Sequence, residues 1–494
     1  MNDTILLDFE DPDLFGNDAA EEEDPEILAS YFVEKPHFNK FYDPRRRIAI
    51  VRARKGMGKS ALLAKLNHTL SQDEDGQMVL ALKGQDLVGF ADFSSRDPLA
   101  LINSWRLAIC RRIALELGRS IRFAATDAEI ALVEGAELAG MKSRNLLGSL
   151  LDRLKPRIGP IQFDRLPPSD ARNVLLAYSR GRSDLAIWVS VDDIDATFDF
   201  APDTCLRTST FFTALRGMST DFRGTRFRAS VRTDVWTKLA RTDEAMDKAV
   251  QYLHDLTWSR SETRRILAKR IAAHMTRRGT APAPGVEWDP DAHSQRLLEL
   301  AFVPKMEWAG ETLTPDKVIH ILSAGRPRWA AQLCRLAGRD ALVRRQKRIS
   351  LSNLENVLEA FGRERLDDLH KEHSHQFAGL QALTESFARN KSIYYTPDLL
   401  KGLWDRYVES IGGLKYVPTL DGLPVSSPLE LAHFLYRIGF INGRVRGEDD
   451  SIEFVRYEER PDLLSTTVNP DDGMRWDVHP CYRRALSISR GSVG

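Results

Sequence analysis

Apolar positions along the chain follow two patterns. Short, unbroken β-branched runs alternate with longer stretches whose apolar residues recur every three or four positions. Arg47-Ile48-Ala49-Ile50 reads as a buried strand, and Ala61-Leu62-Leu63-Ala64-Lys65-Leu66 has helical spacing without a breaker. Met78 to Leu82 gives a second strand. Ile102, Trp105, Ile109, Ile113 and Leu117 predict a helical stretch from about Pro98 to Leu154, broken by prolines at 156, 160, 167 and 168. A helix near Ser169 to Ser179 leads into Leu185 to Val191, the most strand-like run in the chain. Phe227 to Val231 and Tyr252 to Trp258 complete the set. Strands alternating with helices across short junctions predict a parallel α/β sheet covered on both faces.

Beyond Trp258 the pattern turns helical. Thr263, Ile266, Leu267 and Ile271 repeat within Ser261 to Met275, a loop is expected at Thr280 to Gly285, and Gly325-Arg326-Pro327-Arg328-Trp329 opens another helix. Helices at Leu380 to Ala388, Pro397 to Val408 and Pro428 to Gly439 precede Ile441, Val445, a turn at Gly447 to Asp450, and Ile452 to Tyr457. Helices followed by a small hairpin predict a winged helix-turn-helix. The expected organisation is an acidic flexible tail (1–34), a P-loop core (35–258), a helical lid (259–349) and a mostly helical, winged-helix-like domain (350–494).

The candidate chemistry lies at the ends of the strands. Between the first strand and its helix stands Ala53-Arg54-Lys55-Gly56-Met57-Gly58-Lys59-Ser60. Strand, glycine-rich turn, Gly-Lys-Ser and helix are the parts of a phosphate cradle, formed by Gly56, Met57, Gly58, Lys59, Ser60 and Ala61. Gly56 and Gly58 let the backbone curl so that successive N–H groups face a polyphosphate, and the helix adds its positive end. Lys59 then reaches the β- and γ-phosphates of ATP, and the Ser60 hydroxyl sits on Mg²⁺. Ala53 takes the position where the P-loop pattern has its first glycine, which suits it if its φ stays negative. Asp192-Asp193-Ile194-Asp195 directly follows the third strand, so Asp192 is assigned to Mg²⁺ and Asp193 to the attacking water, with Asp195 a third candidate. Arg232, at the end of the next strand, falls at the same sheet edge, either reading the γ-phosphate or pairing with Asp234.

Composition narrows the setting. Seventy basic and seventy acidic residues cancel, and 43% hydrophobic content is that of a globular protein. No apolar stretch is long enough to span a bilayer, the acidic N-terminus lacks the basic start of a signal peptide, and four scattered cysteines fit a reducing cytoplasm. The charge is unevenly placed: Asp3 to Glu34 holds no Lys or Arg, while Arg45-Arg46-Arg47 and Arg344-Arg345-Gln346-Lys347-Arg348 are basic clusters. Those clusters read as solvated faces, with nucleic-acid contact the alternative. His370, His373 and His375 have highly charged flanks and read as a solvated helix end rather than a zinc site.

The order of these parts resembles the P-loop ATPases of the AAA+ and STAND type, including origin-recognition and NACHT-like proteins, and bacterial P-loop ATPases of the kind found in phage-defence loci. The resemblance covers about residues 45 to 340. It implies an ATPase in which Arg232 is a sensor after the fourth strand, Pro327 packs near adenine, and Arg328 reaches the γ-phosphate from the lid. It also implies a homo-oligomer in the ATP state, completed by an arginine in trans (Arg216, Arg223 or Arg241), and a protein effector partner. Asp193 replaces the Glu usual in AAA+ enzymes, which implies slow hydrolysis and a switch rather than a motor. The competing readings are an ATP-dependent DNA-binding initiator or regulator, weakened by the neutral charge, and an inactive nucleotide-binding scaffold.

Overall fold

The computed structural model describes residues 7–16, 23–72, 77–121, 124, 126–141, 170–179, 186–279, 293–308, 310–410, 418–447 and 452–488. The expected loop at 280–285, the prolines at 156–168 and the turn at 448–450 lie outside the described residues. The chain divides into two compact units, one formed by Ala19–Thr257 and the other by Met1–Asp18 with Trp258–Gly494.

The first unit is built on a five-stranded parallel sheet: β1 (Ile48–Ala53), β2 (Met78–Lys83), β3 (Ile187–Asp192), β4 (Thr225–Arg232) and β5 (Leu253–Asp255), in the order β2-β3-β4-β1-β5. The central strands are nearly continuous apolar runs because helices bury both faces. Those helices include α1 (Lys59–Ser71), α2 (Pro98–Ser120), α3 (Pro202–Asp221) and α4 (Thr233–Thr242). Trp105 of α2, Phe211 and Phe212 of α3, and Trp236 of α4 pack edge to face in one core with Phe227 of β4.

Two expectations shift here. The helical stretch from Pro98 ends at Ser120 and restarts at Asp127, because Thr126 and Glu129 form a capping box that begins a new helix. β5 spans three residues rather than seven, as an edge strand paired only with β1. A buried cation also joins this unit's N-terminal loop to the sheet. Arg228 of β4 is 1% exposed, and its guanidinium donates to the carbonyls of Phe41, Asp43, Arg46 and Phe227 while facing the Trp188 ring at 4.6 Å.

The second unit is mostly helical. It contains α5 (Arg260–Arg277), α6 (Ser294–Ala301), a hairpin of β6 (Met306–Trp308) and β7 (Glu311–Leu313), α7 (Pro315–Leu322), α8 (Pro327–Val343) and α9 (Leu351–His373). A capping box of Ser259 and Glu262 starts α5. The chain continues through α10 (Leu380–Glu385), β8 (Ile393–Tyr394), α11 (Thr396–Ser410), a small hairpin of β9 (Thr419–Leu420) and β10 (Leu423–Pro424), and α12 (Pro428–Arg437). β11 (Ile441–Arg446), β12 (Ile452–Val455) and β13 (Arg475–Val478) then form an antiparallel sheet with β8, in the order β12-β11-β13-β8. The fold is therefore a P-loop α/β sheet followed by a helical region that ends in helices and a small antiparallel sheet.

The N-terminal segment differs from the solvated tail expected over 1–34. Leu7, Phe9, Leu14 and Phe15 are buried in the second unit's core, where Phe9 packs against Gly338 of α8 and the Phe15 carbonyl accepts from Arg270 of α5. Asp11 pairs with Arg278 at 2.5 Å. Four apolar side chains among the acids anchor the segment, and the acids meet arginines that local composition does not show. In the first unit, Asp24 caps the helix Pro25–Tyr31.

The histidine cluster also differs from a solvated end. His373 is buried and His370 lies within hydrogen-bond distance of Thr384 at 2.9 Å, with burial holding its pKa below the usual histidine range; only His375 is exposed. α9 packs against α10 along that turn, which the charged flanks concealed.

Candidate functional site

All five strands run parallel, so Ala53, Lys83, Asp192, Arg232 and Asp255 end at one edge of the sheet, where parallel sheets bind ligands. The loop after β1 turns through Gly56 at φ 80° and Gly58 at φ 94°, a region L side chains avoid. Gly58 is the N-cap of α1, and Ser60 and Ala61 lie in its first turn. Met57 is buried. Ala53 is the last residue of β1, held in register with Arg232 in extended backbone, so glycine is not needed there.

Lys59 stands at the positive end of α1. Among the described residues its ammonium reaches only the Ala53 carbonyl, at 3.5 Å. A lysine at a helix N-terminus opposes the macrodipole, and no carboxylate among the described residues relieves it. Such a group fits an anion.

On the far side of β4 stands Asp192, with two strand spacings of roughly 5 Å each between β1 and β3. Its carboxylate accepts from the hydroxyl of Ser230 and from the backbone N–H of Asp193, at 3.0 Å in the second case. Ser230 is fully buried, so it holds the carboxylate in one orientation. Asp193 adopts φ 52°, a conformation Asp tolerates better than most residues. Gly84, just after β2, closes on this turn: a Cβ there would come within 2.6 Å of Ile194 Cα and 2.9 Å of the Asp193 carbonyl oxygen. Ser190 of β3 donates to Asn67 of α1 at 2.8 Å, fixing the phosphate-loop helix to the acid-bearing strand.

Ser230, Gly84 and Asn67 were not singled out from sequence. Ser230 had a signal, as a hydroxyl inside the apolar run Phe227 to Val231 beside the acid-bearing strand. Gly84 and Asn67 had none, since the contacts are with residues more than a hundred positions away.

Arg232 lies at the expected edge but is not a free guanidinium. It pairs with Asp234 at 3.2 Å and with Asp195 at 3.7 Å, and its backbone N–H donates to Asp195 at 2.6 Å. Asp195 is 2% exposed, so that carboxylate serves this clamp. On β5, His254 is pushed down to about 4 by burial and by Arg46, Arg228, His37 and Lys40. Pro327 and Arg328 occupy the first turn of α8, in the other unit. Of the three arginines considered for action in trans, Arg216 is half-buried on α3, Arg223 precedes β4 at the opposite edge of the sheet, and Arg241 is exposed in the last turn of α4.

The helix that a winged helix would present to a duplex is α12. None of its residues is exposed. His433 lies 3.0 Å from the Leu463 carbonyl, the Tyr436 hydroxyl donates to the Arg460 carbonyl at 3.0 Å, and Tyr457 packs edge to face on both rings. Arg437 is held by Asp421 at 2.9 Å.

Strand order β2-β3-β4-β1-β5, a glycine turn and lysine after β1 and paired acids after β3 are the parts of a P-loop α/β core. No family model matches the chain. It is 22% identical over 509 aligned positions to the 80.3 kDa protein ascribed to transposon gamma-delta in Escherichia coli K12, covering 97% of this chain and 68% of that protein. Among solved structures it is similar to the ORC2 protein of Aeropyrum pernix with ADPNP and ADP (TM-score 0.42, 11% identity, 96% of each chain). It is also similar to the Walker-type ATPase PABY2304 of Pyrococcus abyssi (TM-score 0.38, 12% identity, 90% of this chain and 97% of that one). A third is Cdc6p of Pyrobaculum aerophilum (TM-score 0.34, 14% identity, 94% and 96%). Among the described residues no helix is long and apolar enough to cross a membrane.

Proposed function

We propose that this protein is a Mg²⁺-dependent ATPase that hydrolyses slowly and acts as a nucleotide-driven switch. The observation that carries the reading is Lys59, an ammonium with no carboxylate partner among the described residues, at the positive end of α1 behind two left-handed glycines. ATP would supply the phosphoryl group, and Mg²⁺ would offset its charge. Lys59 and the backbone N–H groups of residues 56–61 bind the phosphates. Ser60 and Asp192 offer the hard oxygen ligands Mg²⁺ prefers, and Ser230 keeps the Asp192 carboxylate turned one way. Asp193 takes the proton of the attacking water. Arg232, engaged by two carboxylates, holds the ends of β3 and β4 in place. Arg328 is assigned to the γ-phosphate and Pro327 to the adenine side.

The switch reading extends to a homo-oligomer in the ATP state that engages a protein effector in the cytoplasm, with antiviral defence as its setting. Arg223 and Arg241 are both exposed and are the candidates for donation to a neighbour. The alternative, a DNA-binding regulator reading duplex through a winged helix, is opposed by α12, none of whose residues is exposed. An inactive scaffold is separated by turnover. Wild type should release phosphate from ATP only with Mg²⁺, and light scattering should show a larger particle with a slowly hydrolysed analogue than with ADP. Binding without turnover would leave the scaffold reading, and one unchanged monomeric size would refute assembly.

A further inference from the structure

The two arginine-rich clusters have different fates. In the first, Arg45 pairs with Asp43 at 3.1 Å and Arg47 donates to the Ser219 carbonyl at 3.2 Å. In the second, every residue from Leu342 to Arg348 is exposed. Only Arg344 is paired there, with Asp340 at 3.0 Å; Arg345, Lys347 and Arg348 have no carboxylate partner among the described residues. A cation after a helix C-terminus answers the macrodipole, but one suffices, and Arg344 is already there.

The turn is ordered. Arg345 N–H donates to the Leu342 carbonyl at 2.9 Å and Gln346 N–H to the Ala341 carbonyl at 2.8 Å, the double bond of a Schellman cap. Arg345 occupies its left-handed position at φ 56°, where glycine is favoured. A second element steadies its far end. Ile349 exchanges backbone bonds with Ala301 and Val303, at 2.7 and 3.0 Å, which ties the end of the turn to the chain after α6.

We propose that Arg345, Lys347 and Arg348 form a docking surface for the phosphate backbone of duplex DNA, without base readout. Guanidinium forks match phosphate oxygens, and cations on an ordered turn suit a polymer whose charges are fixed in line. Leu342 and Val343 are the only apolar residues on the turn, too little to insert into a lipid surface. With no net charge elsewhere to help, affinity should be modest, in the range of roughly 10⁻⁴ to 10⁻⁶ M typical of backbone-only contact. This surface is independent of the nucleotide site, and its test runs without ATP.

The experiment is fluorescence anisotropy of a short random-sequence DNA duplex with the full chain across a salt series. Wild type should bind at low salt. Arg345→Glu/Lys347→Glu/Arg348→Glu should weaken binding at least tenfold and flatten the salt slope by about 2–3, at about 0.9 per lost phosphate contact. The milder set Arg345→Gln/Lys347→Gln/Arg348→Gln should fall between, and both should keep the wild-type melting temperature and ATP turnover. Arg45→Gln serves as a control that leaves duplex binding unchanged. Absence of wild-type binding up to about 10⁻⁴ M, equal binding by the Glu set, or a loss confined to anionic vesicles would overturn the proposal.

Discussion

The carboxyl edge of the parallel sheet and the helix-and-hairpin end of the chain both bring polar groups together, and they use them in opposite ways. At the sheet edge, among the described residues, Lys59 faces no carboxylate and Asp192 accepts hydrogen bonds from Ser230 and the Asp193 N–H alone. At the other end, α12 has His433, Tyr436 and Arg437 engaged by Leu463, Arg460 and Asp421. A ligand site keeps groups whose partners must come from outside. A structural surface satisfies its groups internally, because a buried polar group without a partner costs about 1–3 kcal/mol.

The contrast is broken most sharply at Asp193. Asp193→Asn should slow ATP turnover by about 10²–10⁴-fold with binding retained, the usual contribution of a positioned base. Steady-state phosphate release checks this, and a wild-type rate would place the water elsewhere. Gly84→Ala should destabilise the first unit by about 1–3 kcal/mol, since its methyl meets the Ile194 and Asp193 backbone, and should lower turnover in the folded fraction. Denaturant midpoints against kcat separate the two effects.

The second unit offers a pH test. His320 accepts at Nε2 from Arg456 at 2.9 Å and has Thr263 Oγ 2.8 Å from Nδ1, an arrangement that fits the neutral ring. Burial, then Arg456 and Arg260, hold its pKa down to about 3. Between the ordinary pKa of about 6.5 and 3 the unfolded chain binds a proton that the folded chain refuses. Stability from this group is therefore present above pH 6.5 and lost as pH falls toward 3. His320→Gln should reduce the pH slope of unfolding by about 1.4 kcal/mol per unit in that window, measured by denaturant titration at several pH values. The smallest effect is at α12. Tyr436→Phe should cost about 0.5–1.5 kcal/mol, from its bond to Arg460, and leave duplex affinity unchanged. A change in DNA binding would mean that α12 reads duplex after all.

What could be read from sequence follows the same division. β1 to β4, the glycine turn and the acids after β3 are local signals, each set by a few adjacent residues and by strand polarity. The clamp on Arg232, the Ser230 hydroxyl against Asp192 and the burial of Leu7 to Phe15 depend on contacts across 37 to several hundred positions, beyond any periodicity. The helices of the last third and the β11–β12 hairpin were legible from spacing. The cover on α12 was not, because Leu463 and Arg460 bond to it from a segment with neither helical nor strand pattern.

The central claim is that Lys59 waits for a polyphosphate. Calorimetric titration of ATP with Mg²⁺ into wild type and Lys59→Ala tests it directly, because alanine preserves the helix while removing the charge. The account predicts measurable binding by wild type, a loss of at least about tenfold in the variant, as expected for a charge-assisted contact worth roughly 1.5–3 kcal/mol, and equal ligand-free melting temperatures. Equal ATP affinity in the two proteins would contradict it.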